Sequence, residues 1–266
     1  MNDFGLQAAY SFSDAGLSNH WSNLFEDRSD RVAAISDDAI LEWINQDNYS
    51  GLSASLSDSD FDGWVPDLEN LQLGAGAFDE HGFAKDGSHW VAFNYKPLPS
   101  TFWPTNGSTD DVMIRLPEMY RNDMDGNYSR DVYRANLAIL EAAIKGFDSI
   151  TTLPVDERVL MRDLDKDGKL GITTDIRDVV FYTGQAEKLA SFKHMYPAGT
   201  EFLHTVRYVG VDEAGNIGVS TRMKEVRYMR KWHSYGMAVY ARQYQLEEFE
   251  KEAGNLPKYH YLGHKG

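Results

Sequence analysis

The chain has 266 residues, 42% of them hydrophobic and 25% charged, which suits one large or two small globular domains and excludes a disordered tail. Its formal net charge of −15 repels nucleic acid and anionic lipid and favours cations. The absence of cysteine excludes disulfides, thiolate metal sites, cysteine nucleophiles and thioether-attached haem within these residues.

Residues 1–35 read as a loosely ordered polar segment, and 36–266 as one α+β domain, irregular and loop-rich. Ser36-Asp37-Asp38 opens a helix with Ile40, Leu41 and Ile44 at helical spacing. Ser, Asp and Gly dominate Ser50–Gly63, which predicts a loop. His89–Tyr95 and Val112–Leu116 have strand composition. Between them Lys96–Asp111, rich in Pro, Trp, Thr and Gly, predicts no regular element. Arg130–Lys145 is the clearest helix, with Ser129 to cap it and Gly146 to end it. Short helices are expected at Pro154–Arg162 and Gln185–His194. His204–Val211 and Gly218–Met229 predict a C-terminal β-hairpin around Asp212–Asn216, and Ser234–Ala253 an amphipathic helix. No apolar run is long enough for a membrane span, and the opening residues lack the basic start and apolar run of a secretory signal.

Two acidic loops carry the strongest chemical signal. Calcium takes six to eight oxygens, and a twelve-residue loop supplies them from positions 1, 3, 5, a carbonyl at 7 and a bidentate Glu at 12, with Gly at 6 for the bend. Asp58–Glu69 fits throughout: Asp58, Asp60 and Asp62 alternate, Gly63 bends, Trp64 offers its carbonyl, and Glu69 closes. Pro66 suits either an exit helix or an extended exit, and in the extended form Asp67 competes as ligand. Asp163–Thr174 fits at Asp163, Asp165, Asp167, Gly168 and the Lys169 carbonyl, but position 12 is Thr174. Asp175 or Asp178 would close it, and Val155–Arg162 and Asp175–Tyr182 would be its flanking helices. The expected cofactor is Ca2+ at two EF-hand-like sites. Weak loops of this kind fill where calcium is near millimolar, which places the protein in the periplasm or outside the cell. Asp123–Asn127 has two alternating acids before its Gly, and Arg121 stands where a first ligand belongs. It reads as a polar turn.

Thr101–Asp111 reads as a packed aromatic loop. The alternative is a glycan-hydrolase site using Asp110, Asp111 and Glu118. A calcium-dependent adhesion module is the third class. The eight histidines show no zinc spacing.

Several phrases occur together: DFDGWVPD (60–67), TFWPTNGSTDDVMIRLP (101–117), DLDKDGKLG (163–171), GTEFLHTVRY (199–208) and RMKEVRYM (222–229). Their order resembles uncharacterised bacterial cell-envelope proteins with calcium loops that continue into a c-type cytochrome region. The resemblance implies an N-terminal part of a redox protein. On that resemblance His204 or Met223 would at most face a haem carried elsewhere.

Overall fold

The structure is a computed structural model that describes residues 26–92 and 108–255, with the side chains of 108–111 excepted. It divides into two compact units, residues 1–35 with 234–266, and residues 36–233. The described part of the first unit contains helix Ser29–Ala33 and helix Met237–Glu252. The second helix is not amphipathic as expected. Met237, Val239, Tyr244, Leu246 and Phe249 are spread round it, all exposed, and none of its residues is buried.

The second unit, Ser36–His233, is built on an antiparallel four-stranded sheet of order β1-β2-β5-β6. Its strands are β1 (Val91–Ala92), β2 (Ser108–Arg115), β5 (Glu201–Val211) and β6 (Ile217–Arg230). The expected hairpin is β5–β6. Asp212 closes its turn by accepting the Ala214 and Asn216 amides at 2.9 and 2.8 Å.

Helix α3 (Arg130–Lys145) covers one sheet face, capped by Ser129 and ended by Gly146 at φ 72°. Its Val132, Tyr133, Ile139 and Leu140 pack with Ile114, Leu116 and Phe202. A second ladder, β3 (Ile150–Asp156) with β4 (Ile172–Ile176), adds Val155 and Ile176 to this core. The other sheet face buries Met113, Leu203 and Met223 under Leu68, Leu71, Phe78 and Trp90. Met223 is therefore core and is not placed to face a haem.

Helix α1 (Asp37–Asn45) starts where its cap residue Ser36 predicts. Its end and the following residues cover the edge of β6: Ser220 and Thr221 hydroxyls donate to the Ile44 and Asn45 carbonyls, and Asn48 bonds Met223 in both directions at 2.9 Å. Covering protects an otherwise open strand edge.

Several expectations are corrected. Ser50–Ser57 is helix α2, not loop: Asp47 accepts the Tyr49 and Ser50 amides, and Leu52 and Leu56 turn toward β6. Ser108–Asp111 lies in β2, paired with 205–208, where irregular chain was expected. The rest of the Thr101–Asp111 stretch lies outside the described residues. Pro154 belongs to β3, leaving one helical turn, α4 (Glu157–Leu160). Gln185–His194 is the end of a short 3-10 turn, Gly184–Ala186, followed by loop rather than a helix: Glu187 bonds back to Gly184 and Leu189 to Ala186, and Thr183 before them is tied to Asn136.

Candidate metal centre

The two acidic loops, alike in sequence, differ in the structure. Asp58 ends helix α2, and its amide donates to the Ala54 carbonyl. Residues 61–68 then run without helix as far as a 3-10 segment, Leu71–Ala77. No exit helix follows, so this is not an EF-hand. Gly63 makes no left-handed turn. The Phe61 ring lies against it, and a Cβ there would sit 2.1 Å from the ring. Trp64 stacks on Tyr228 at 3.7 Å between centroids. Asp67 is taken up by Arg115 Nη1 at 2.6 Å and Trp90 Nε1 at 2.8 Å. The Glu69 amide donates to Asp86 at 2.7 Å. Among the described residues, Asp58, Asp60, Asp62 and Glu69 are not brought together as a three-carboxylate group.

The second loop is built differently. Lys166 and Gly168 take φ of 60° and 85°, which folds the chain back on itself. The carboxylates turn inward to the loop's own amides. Asp163 accepts Asp167 at 3.2 Å and Gly168 at 2.9 Å, Asp165 accepts Asp167 at 3.0 Å, and Asp167 accepts Lys169 at 2.8 Å. Hydrogen bonding from the Thr173 hydroxyl, aided by the Asp167 amide, holds the Asp165 carboxyl below the usual carboxylate range.

The flanking elements are the one-turn helix α4 and strand β4, not paired helices. Ile172, Thr173, Thr174 and Ile176 favour an extended chain, and Ile172, Thr173 and Ile176 pair with β3. Asp175 sits within β4 opposite Thr151, its amide on the Thr173 hydroxyl at 3.0 Å. Asp178 is held by the Arg162 fork at 2.5 and 3.1 Å. Neither is gathered with the loop acids.

Glu157 is the residue that sequence reasoning missed. It is 1% exposed. One carboxylate oxygen accepts the Leu164 and Asp165 amides at 2.6 and 3.3 Å, and the other accepts Gly171 at 3.0 Å. Glu157, Asp163 and Asp165 each place an oxygen within 4.8 Å of the others. Asp167 falls outside this group. The donor set fits a hard cation. All three groups are carboxylates, and an oxygen bonded to one amide keeps a lone pair for a metal. The only sequence signal for Glu157 lay upstream of the loop, where a search for position 12 does not look.

The remaining candidates lie on β2 and the turns that follow it. Glu118 accepts Asn122 Nδ2 at 3.3 Å. Asp110 and Asp111 are backbone partners of Val206 and Thr205 in β2. Asp123 accepts the Asp125 and Asn127 amides at 3.0 and 2.9 Å, a polar turn as expected. No helix among the described residues is long and apolar enough to cross a membrane.

Over residues 1–257 the chain matches a family described as “-like lipoprotein”. It is 32% identical over 249 residues to an “Uncharacterized lipoprotein” of Aquifex aeolicus (strain VF5), a match that covers 87% of this chain and 40% of that protein. No solved structure matches it. These matches agree with the envelope part of the resemblance seen in the sequence and speak neither to calcium nor to haem.

Proposed function

The chain belongs to this lipoprotein family, an envelope-associated one, and on that premise we propose that it is a calcium-stapled module of a periplasmic or extracellular protein. One observation carries the reading: the buried carboxylate of Glu157 converges with Asp163 and Asp165 on the second acidic loop. Carboxylates this close repel one another unless a cation or protons neutralise them. Calcium is the cation whose ligand number and flexibility suit a D-x-D-x-D-G turn. Carbonyl and water oxygens would complete its shell. The ion would be structural, because it sits where α4 meets the β3–β4 ladder and locks the loop between them. Binding to the folded state alone stabilises by mass action.

The first acidic loop is left out of this reading, since its carboxylates are not gathered. Thermal unfolding of chelator-treated protein tests the proposal. Added calcium should raise the melting temperature in a saturable way, the Asp163→Asn variant should not respond, and Asp58→Asn should respond like the parent. An equal response in parent and Asp163→Asn removes the assignment.

A further inference from the structure

Within Ser36–His233, β6 is an outer strand of its sheet, and its far edge is covered over only part of its length. The cover ends at Met223, whose amide and carbonyl are both taken by the Asn48 side chain at 2.9 Å. Lys231 fixes the direction of the strand beyond. Its amide donates to the Thr200 carbonyl at 2.8 Å and its carbonyl accepts the Gly199 amide at 2.5 Å, so Lys231 faces the β5 side. In an antiparallel ladder that direction alternates residue by residue. Met229, Arg227 and Glu225 therefore face β5, and Arg230, Tyr228 and Val226 turn their N–H and C=O groups outward. The register shift between Val206 and Arg207 explains why Met223, an odd-numbered residue, also faces outward. Among the described residues, no hydrogen bond reaches the outward backbone groups of Val226, Tyr228 or Arg230. Such an edge is a template for another strand.

A cleft of about 400 Å³ opens beside the same stretch. Leu52 and Leu56 of α2, Phe61, Trp64, and Val226 and Tyr228 of β6 are among its walls. Leu52, Phe61 and Trp64 stay exposed although they are large and apolar. Side chains two apart share a face of a strand, so Arg230, which is exposed, continues the row of Val226 and Tyr228. From Arg222 to Lys231 the chain carries five basic residues and one acid, in a protein of net charge −15. That one acid, Glu225, is paired with Arg227.

These features specify what fits. Open N–H and C=O groups at strand spacing are satisfied by a second extended backbone. A helix has its own groups already paired, and a lipid tail has none. The cleft suits an apolar side chain of that backbone, and Arg230 suits an acid. We propose that the Val226–Arg230 edge of β6 is a docking site for an extended peptide segment of a partner protein. The segment adds a strand to the sheet, places an apolar side chain in the cleft, and sets an acidic one two residues along against Arg230. The site is separate from the Glu157 cluster and does not depend on calcium.

Amide NMR of the intact chain tests it, following Val226, Tyr228 and Arg230. The probes are end-blocked eight-residue peptides of Thr and Val that carry Phe and Asp two positions apart in either order. Saturable shifts and slowed hydrogen exchange are expected at these three amides. The same peptides N-methylated at alternate amides, in both phases, keep every side chain and lose main-chain donors, so the better phase to block should bind at least about tenfold more weakly. Leu52→Asp, an exposed substitution in the cleft wall, should also weaken binding. Arg230→Glu should weaken binding of the Asp peptides and favour the same peptides with Lys in place of Asp. No saturable shift with any unmethylated peptide, or equal binding of both methylated forms, overturns the proposal. So does protection of these amides by concentration-dependent dimerisation without peptide, which would assign the edge to a second copy of the chain.

Discussion

Glu157 and Asp163, six residues apart in the chain, place carboxylate oxygens within 4.8 Å of each other across the turn that follows α4. Glu157 has two roles there. It accepts three backbone amides that hold the loop, and it supplies charge to the candidate cation site. Two variants separate these roles. Glu157→Gln retains an amide oxygen and should weaken calcium binding while leaving a folded protein. Glu157→Ala leaves the Leu164, Asp165 and Gly171 amides without their acceptor, at about 1–3 kcal/mol for each that stays buried. Denaturant unfolding in chelator should therefore show Glu157→Ala clearly less stable than Glu157→Gln.

Gly184 should tolerate no side chain. It holds φ 64°, and a Cβ there would lie 2.2 Å from the Asn122 carbonyl oxygen and 2.7 Å from Val132 Cγ1. Backbone and a buried core residue cannot both move aside. Gly184→Ala should cost more than about 2 kcal/mol, combining overpacking with the disfavoured backbone. Denaturant melts measure it, and a loss under about 0.5 kcal/mol would show that the close approach relaxes cheaply.

Asn136 is fully buried and uses its whole amide. Its Nδ2 donates to the Tyr120 and Thr183 carbonyls at 2.9 and 3.1 Å, and its Oδ1 accepts the Thr183 amide and hydroxyl at 2.7 and 3.1 Å. Asn136→Leu should destabilise by about 2–5 kcal/mol, because it strands buried polar groups on two neighbouring segments. Hydrogen exchange at the Thr183 amide should rise in the same variant.

Much of this architecture was legible in the sequence. Helix Arg130–Lys145 and the β5–β6 hairpin came out as read, because their caps, periodicity and Asp212 turn are local signals. The helical starts at Ser36 and Ser129 were legible for the same reason. What misled was chemistry set by distant partners. Ser50–Ser57 looks like loop by composition, yet it is a helix whose Leu52 and Leu56 line a cleft walled by β6. The two acidic loops match one template, yet Gly63 packs under Phe61 while Gly168 turns left-handed. Asp67 reads as a ligand and serves Arg115 and Trp90 instead. Glu157 lies outside the twelve-residue template, so the residue that completes the cluster could be found only from its three amide bonds.

Asp79 should make stability depend on acid. Burial alone would raise its pKa, but the Arg130 hydrogen bond, the Phe83 and His81 amides and the Arg130 charge outweigh it, and the net shift is downward. A carboxylate depressed in the folded state contributes stability that is complete above its unfolded value of about 3.9 and is lost as pH falls through the folded value. Asp79→Asn should therefore flatten the stability profile below about pH 4 relative to the parent. Parallel profiles for the two proteins in that range would show that the Arg130 pair contributes nothing.

Calorimetric titration of calcium into the chelator-stripped chain is the most direct measurement. One saturable site is predicted, unchanged by Asp58→Asn and abolished or weakened at least about tenfold in Asp163→Asn and Glu157→Gln. No binding heat together with no calcium-dependent change in unfolding, or a site lost in Asp58→Asn and retained in Glu157→Gln, would contradict the placement of calcium at Glu157, Asp163 and Asp165.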